Sequence, residues 1–135
     1  MPSEKPVAVI VGVGAGLGAA LARRFAAGYA VALVARSQDY LRALAAELEA
    51  SGGNALAVAT NVAEVAEIES AVATIRRELG EPRVLIYNAA MRPFGRLLET
   101  KPSTFENTWR VNALGAFLWS QQVAPAMLAA GTGVI

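Results

Sequence analysis

The chain has 135 residues, 55% of them hydrophobic and 17% charged, with a net charge of +1. That size suits one domain with a substantial core, and the charge balance offers no global attraction to nucleic acid or to an anionic membrane. Cysteine and histidine are both absent, which excludes disulfides and thiolate chemistry and would leave a transition-metal site to carboxylates alone.

The apolar run between Lys5 and Ala22 faintly imitates a secretory leader, but four glycines interrupt it, and strand, turn and helix account for it better. No stretch reaches the ~18 charge-free apolar residues of a membrane span. The expectation is a soluble, cytoplasmic protein in which residues 1–135 form a single domain.

Strands and helices alternate along the chain. Val7–Val11 is a continuous apolar run, as in a strand covered on both faces. The spacing predicts a helix over 17–27 with Leu17, Leu21 and Phe25 on one stripe, Arg23 and Arg24 in water, and Gly28 as its stop. A second strand spans 31–34. Ser37 is placed to cap the next helix, which buries Leu41, Leu44, Ala45 and Leu48 and ends at Ser51-Gly-Gly-Asn54. A weaker strand covers 55–59. The following helix, 63–79, carries Val65, Ile68, Val72, Ile75 and Leu79 at spacings of three and four. Glu64, Glu67 and Glu69 at its start, and Arg76-Arg77 near its end, complement the helix dipole.

Gly80-Glu-Pro82 breaks the pattern before a fourth strand, 84–87. After a loop, Ser103 or Thr104 opens a long helix with Phe105, Trp109, Val111, Leu114, Phe117, Leu118 and Val123. These point in several directions and call for cover on more than one side. Pro125 is expected to kink this helix or end its regular part. Gly131 and Gly133 close it, and Val134-Ile135 begin a fifth strand. Such alternation with short connections predicts an α/β fold, a parallel sheet with helices on both faces.

The junction after the first strand carries the chemistry. Gly12-Val-Gly-Ala-Gly16-Leu-Gly18 is glycine-rich and opens a helix, so backbone amides and the positive end of the helix dipole face any bound anion. Gly14 to Ala19 fits G-x-G-x-x-A, whereas Gly12, Gly16 and Gly18 fit G-x-x-x-G-x-G. The strand ends at Val11, which favours the second register. Gly12, Gly14, Ala15, Gly16, Leu17 and Gly18 are therefore the candidate pyrophosphate cradle. At the end of the second strand an NAD site usually presents Asp or Glu to the ribose 2′-hydroxyl. Here Ala35 and Arg36 stand instead, and an arginine suits a 2′-phosphate. NADP is favoured over NAD, with Arg36 and the adjoining Ser37 at the phosphate. The missing carboxylate also argues against an S-adenosylmethionine site, and the missing Gly-Lys-Ser/Thr excludes a Walker-type NTPase.

With these features the chain resembles the short-chain dehydrogenase/reductase family over essentially its whole length. Besides the glycine spacing, Tyr87-Asn88-Ala89-Ala90 resembles the family's Asn-Asn-Ala-Gly segment. Trp109-Arg-Val-Asn112, followed by Leu114-Gly-Ala-Phe117, resembles its helix with Val-Asn and a downstream glycine. The resemblance implies a Rossmann-like doubly wound parallel sheet, here stopping at the start of the fifth strand, and carbonyl reduction or alcohol oxidation by hydride transfer with small-molecule substrates.

It further implies that Asn61 and Val62 lie beside the adenine, that Asn88, Ala89 and Ala90 lie under the cofactor, and that Asn112 is the catalytic asparagine. It also implies homo-oligomers built through the long helix. Several positions depart from the family: Val11 for a threonine, Asn61 for an aspartate, Tyr87 for the outer asparagine and Ala90 for a glycine. No Tyr-x-x-x-Lys pair occurs, since Tyr29, Tyr40 and Tyr87 are followed four residues later by Leu33, Leu44 and Met91. The chain thus reads as the cofactor-binding part of an oxidoreductase, inactive alone. The alternative is a non-catalytic nucleotide-binding or interaction module on the same fold.

Overall fold

The computed structural model describes residues 4–135. Among these, strands β1 (Val7–Val11), β2 (Ala30–Ala35), β3 (Asn54–Ala59) and β4 (Pro82–Tyr87) form one sheet in the order β3-β2-β1-β4. Every pairing is parallel. β1 is flanked by β2 on one side and by β4 on the other, so the winding reverses between β1 and β4. In open α/β sheets ligands bind at such a reversal, beyond the carboxyl ends of the strands.

Strand alternation divides the core into two layers. Val7, Val9 and Val11 face a cluster with Ile68, Val72, Ile75, Trp119 and Val123. Ala8 and Ile10 face the opposite cluster with Ala19, Ala22, Leu41, Leu44 and Leu48. Helices α1 (Leu17–Ala26) and α2 (Gln38–Ala50) therefore cover one face, and α3 (Val65–Glu78) and α5 (Gly115–Ala130) the other. This is the doubly wound α/β arrangement expected from the sequence.

Three local expectations change. The fully buried residues of α1 are Gly18, Ala19, Ala22 and Ala26; of the expected stripe, Leu21 and Phe25 pack against the same cluster while partly exposed. Leu17 is 64% exposed. Close approach of α1 to the sheet selects small residues, and a Cβ on Gly18 would lie 2.5 Å from the Gly12 carbonyl oxygen. On α3, Val65 is likewise exposed while Ile68, Val72 and Ile75 are buried.

The long last helix is divided. Helix α4 (Pro102–Trp109) passes through a π turn, Arg110–Leu114, into α5. Pro125 lies inside α5, which runs on to Ala130. Packing outweighs the proline here. Val123 and Met127 are buried on either side of it, Arg76 donates to the Gln122 carbonyl at 2.8 Å, and Arg83 reaches the Ala126 carbonyl at 3.5 Å. Gly131 then ends the helix at φ 67°. Val134 makes a parallel bridge to Val84, the beginning of the expected fifth strand beside β4.

Candidate functional site

A cavity of about 580 Å³ opens at the carboxyl ends of the strands, above the β1–β4 reversal. It is lined by Gly12, Val13 and Gly14 after β1, and by Ala35 at the end of β2 with Arg36 just after it. Asn61 and Val62 after β3 and Asn88 to Met91 after β4 complete the strand-end loops, while Asn107, Arg110 and Val111 come from the last helix.

The turn after β1 is built by necessity from glycine. Gly12 has φ 95°, and a Cβ there would run into the Ala89 backbone. Its amide and that of Val13 both donate to the Val34 carbonyl, at 2.8 and 3.1 Å. These two donors are therefore spent on the sheet, and the donors open to an anion lie further along. Gly14 and Gly16 have nothing within 4 Å of where a Cβ would stand. No side chain caps the start of α1 at Gly16; the Ala19 amide turns back to the Gly14 carbonyl at 3.0 Å, which leaves the amides of Leu17 and Gly18 as the helix-end donors for an anion.

Eight of the sequence-predicted residues meet in this cavity: Gly12, Gly14, Arg36, Asn61, Val62, Asn88, Ala89 and Ala90. Ala15, Gly16, Leu17, Gly18, Ser37 and Asn112 are not on its wall. Gly18 is packed under the loop, and Ser37 occupies the cap position of α2 without a side-chain cap bond. Ala63, Glu64, Asn107, Arg110 and Val111 join the wall without having been singled out for the site. The i, i+3, i+4 spacing of the last three was the available signal.

Asn61 uses its side-chain oxygen locally, accepting from the Ala63 amide at 3.1 Å, while its own amide donates to Glu67 at 2.7 Å. The acceptor expected at an adenine is thus partly occupied. Asn112 clasps Met91: its oxygen accepts from the Met91 amide at 2.7 Å and its nitrogen donates to the Met91 carbonyl at 2.8 Å. Both ends of its side chain hold the loop after β4. Tyr87, half-buried at the end of β4, donates its hydroxyl proton to the Val111 carbonyl. Burial pushes its hydroxyl up to about 12, which keeps it a donor at ordinary pH. Arg92 lies 5.9 Å from the exposed Phe94 ring, outside the cavity.

Fold and site together define an α/β protein of the dinucleotide-binding type, with a glycine turn under an open strand-end crevice. A family profile described as short chain dehydrogenase matches residues 6–135, and the chain belongs to that family. It is 35% identical over 133 residues to glycine betaine reductase ATRR of Emericella nidulans, covering 98% of this chain and 10% of that protein. It is 32% identical over 130 residues to D-threitol dehydrogenase of Mycolicibacterium smegmatis, covering 96% of this chain and 50% of the enzyme. An actinorhodin polyketide ketoreductase solved with NADPH superposes with a TM-score of 0.91 at 32% identity, over 99% of this chain and 53% of that one. The chain spans about half the length of the dehydrogenase and the ketoreductase, and a smaller share of the reductase.

Proposed function

We propose that the cavity binds NADP(H), and that the chain is the cofactor-binding part of a short-chain oxidoreductase acting on a small carbonyl or alcohol. The observation that carries this reading is the Gly12–Gly14 turn, which leads into the uncapped start of α1 and lines one cavity together with Arg36. Helix amides and a guanidinium are the donor set for a pyrophosphate with one further phosphate group.

In this assignment Gly14, Ala15, Gly16, Leu17 and Gly18 supply the backbone that the pyrophosphate approaches. Arg36 and Ser37 take the 2′-phosphate. Asn61 and Val62 border the adenine, and Asn88, Ala89 and Ala90 lie under the nicotinamide ribose. NADPH, when bound, supplies the reducing electrons for the carbonyl. Asn112 acts through the Met91 loop that it holds.

Redox turnover is assigned to the whole protein, because its relatives extend well beyond the matched region. Phe105, Trp109 and Phe117 are 71%, 50% and 58% exposed, which supports self-association through the last helix.

The test is a fluorescence titration of the pure chain with NADPH and with NADH. Saturable binding, tighter for NADPH, is expected. Absence of binding by either cofactor overturns the assignment. Light scattering on the same sample checks association, and a strict monomer overturns that part alone.

A further inference from the structure

The π turn raises the question of what holds it. In a regular α-helix the Gly115 amide would donate to the Val111 carbonyl, four residues back. Here it donates to Arg110, five back. The Val111 carbonyl has thus lost its α-helical donor, and the Tyr87 hydroxyl bonds to it instead. Gly115 makes room for this contact: a Cβ there would collide with the Tyr87 hydroxyl and come within 2.7 Å of the Val62 carbonyl oxygen. Wide turns of this kind recur at functional sites in helices.

Tyr87 is also the last residue of β4. The strand end and the loop that follows it are therefore joined to one helical turn twice, by Tyr87 to Val111 and by Asn112 to Met91. Asn88 to Met91 form one wall of the cavity, and Arg110 and Val111 another. The two ties fix the gap between those walls.

We infer that Tyr87 is a positioning residue of the nucleotide site: its hydroxyl replaces the missing helical donor, sets the π turn, and so fixes the distance between the β4 loop and the Arg110–Val111 wall. This rests on the NADP(H) reading above. Phenylalanine at this position would keep the ring and remove only the bond.

The experiment compares the wild-type chain with Tyr87→Phe by amide hydrogen exchange and by NADPH titration, with Val72→Ala as a control for stability. Val72 lies on the buried face of α3 and is not among the cavity-lining residues. Wild type is expected to protect the Met91 and Gly115 amides. Tyr87→Phe is expected to lose protection at the Met91 amide, to keep it at Gly115 as that amide returns to the freed Val111 carbonyl, and to weaken NADPH binding by about three- to tenfold, the range for one lost hydrogen bond. Val72→Ala should lower the melting temperature and leave affinity in place.

Three results overturn the inference. The first is exchange of the wild-type Met91 and Gly115 amides at open-chain rates, which needs no variant to fold. The second is normal NADPH binding by wild type together with unchanged affinity in Tyr87→Phe. The third is an equal loss of affinity in Val72→Ala, which reduces the effect to stability. A wild type that binds no NADPH overturns the nucleotide reading itself and the role of Tyr87 with it, a pattern distinct from the other three.

Discussion

The Asn88 side-chain amide donates to the Gly12 carbonyl at 3.0 Å, across 76 positions of sequence. The Asn88 backbone amide also donates to the Val11 carbonyl at 2.7 Å. The turn after β1 and the turn after β4 are thereby one unit at the place where the sheet reverses its winding.

Gly12→Ala should break that unit. The added Cβ meets the Ala89 backbone, and φ 95° strains any L side chain. A loss of about 2–4 kcal/mol is expected from crowding and strain together. Asn88→Ala removes a hydrogen bond without crowding and should cost about 1 kcal/mol. Urea unfolding of both variants checks the order, which reverses if Gly12 is merely a flexible position.

The other loop glycines should separate stability from binding. Gly18→Ala pushes a Cβ to 2.7 Å from the Val13 Cα and should cost about 1–3 kcal/mol. Gly14→Ala points into open space. Its stability should stay within about 0.5 kcal/mol of wild type, while NADPH affinity falls at least about tenfold as the backbone is screened from the pyrophosphate. Paired melting curves and titrations distinguish the two.

Arg36→Asp should invert the cofactor preference. Replacing a forked cation by a carboxylate removes charge-assisted bonds to the 2′-phosphate and opposes its charge, for a swing of about ten- to a hundredfold toward NADH. An unchanged NADPH-to-NADH ratio removes Arg36 from the site.

Most of the fold was legible because the β/α alternation depends on patterning that local sequence carries. Val7–Val11 and the stripe Leu41, Leu44, Leu48 lie where hydrophobic spacing put them. On α1 the stripe was legible only in part: Leu21 and Phe25 pack against the core, but Leu17 is exposed and the closest contact is made by Gly18, Ala19 and Ala22, because backbone proximity to the sheet favours small residues. Pro125 does not end the helix, which runs on to Ala130 with Arg76 and Arg83 bonded to carbonyls on either side of the proline. The strand-end residues of the site were legible from motifs, whereas Asn107 and Arg110 reach it only through tertiary packing of the last helix. The π turn left no local mark, since its cause is Tyr87 on a distant strand.

Alkaline titration should expose Tyr87. Its hydroxyl titrates near 10.0 in the unfolded chain and at about 12 when folded. Between those values the unfolded state has already released its proton, so stability is full below pH 10 and falls as pH rises toward 12. With the partial exposure discounted, the difference is about 1 kcal/mol. Tyr87→Phe should lack this component, so the wild-type melting temperature should drop more steeply than the variant's across that window. Parallel slopes would contradict it.

The pairing of β1 with β4 is regular except at its foot, where Val7 pairs with Pro82 but Ala8 pairs with Val84. Arg83 is the supernumerary residue, and its carbonyl is satisfied by the Val134 amide at 3.0 Å. The slack in the strand is thus taken up at the edge remote from the crevice, and Val11 and Tyr87 finish level with one another. A change of one residue in the connection from α3 to β4 could be absorbed at that foot, leaving the mouth of the crevice at its original height.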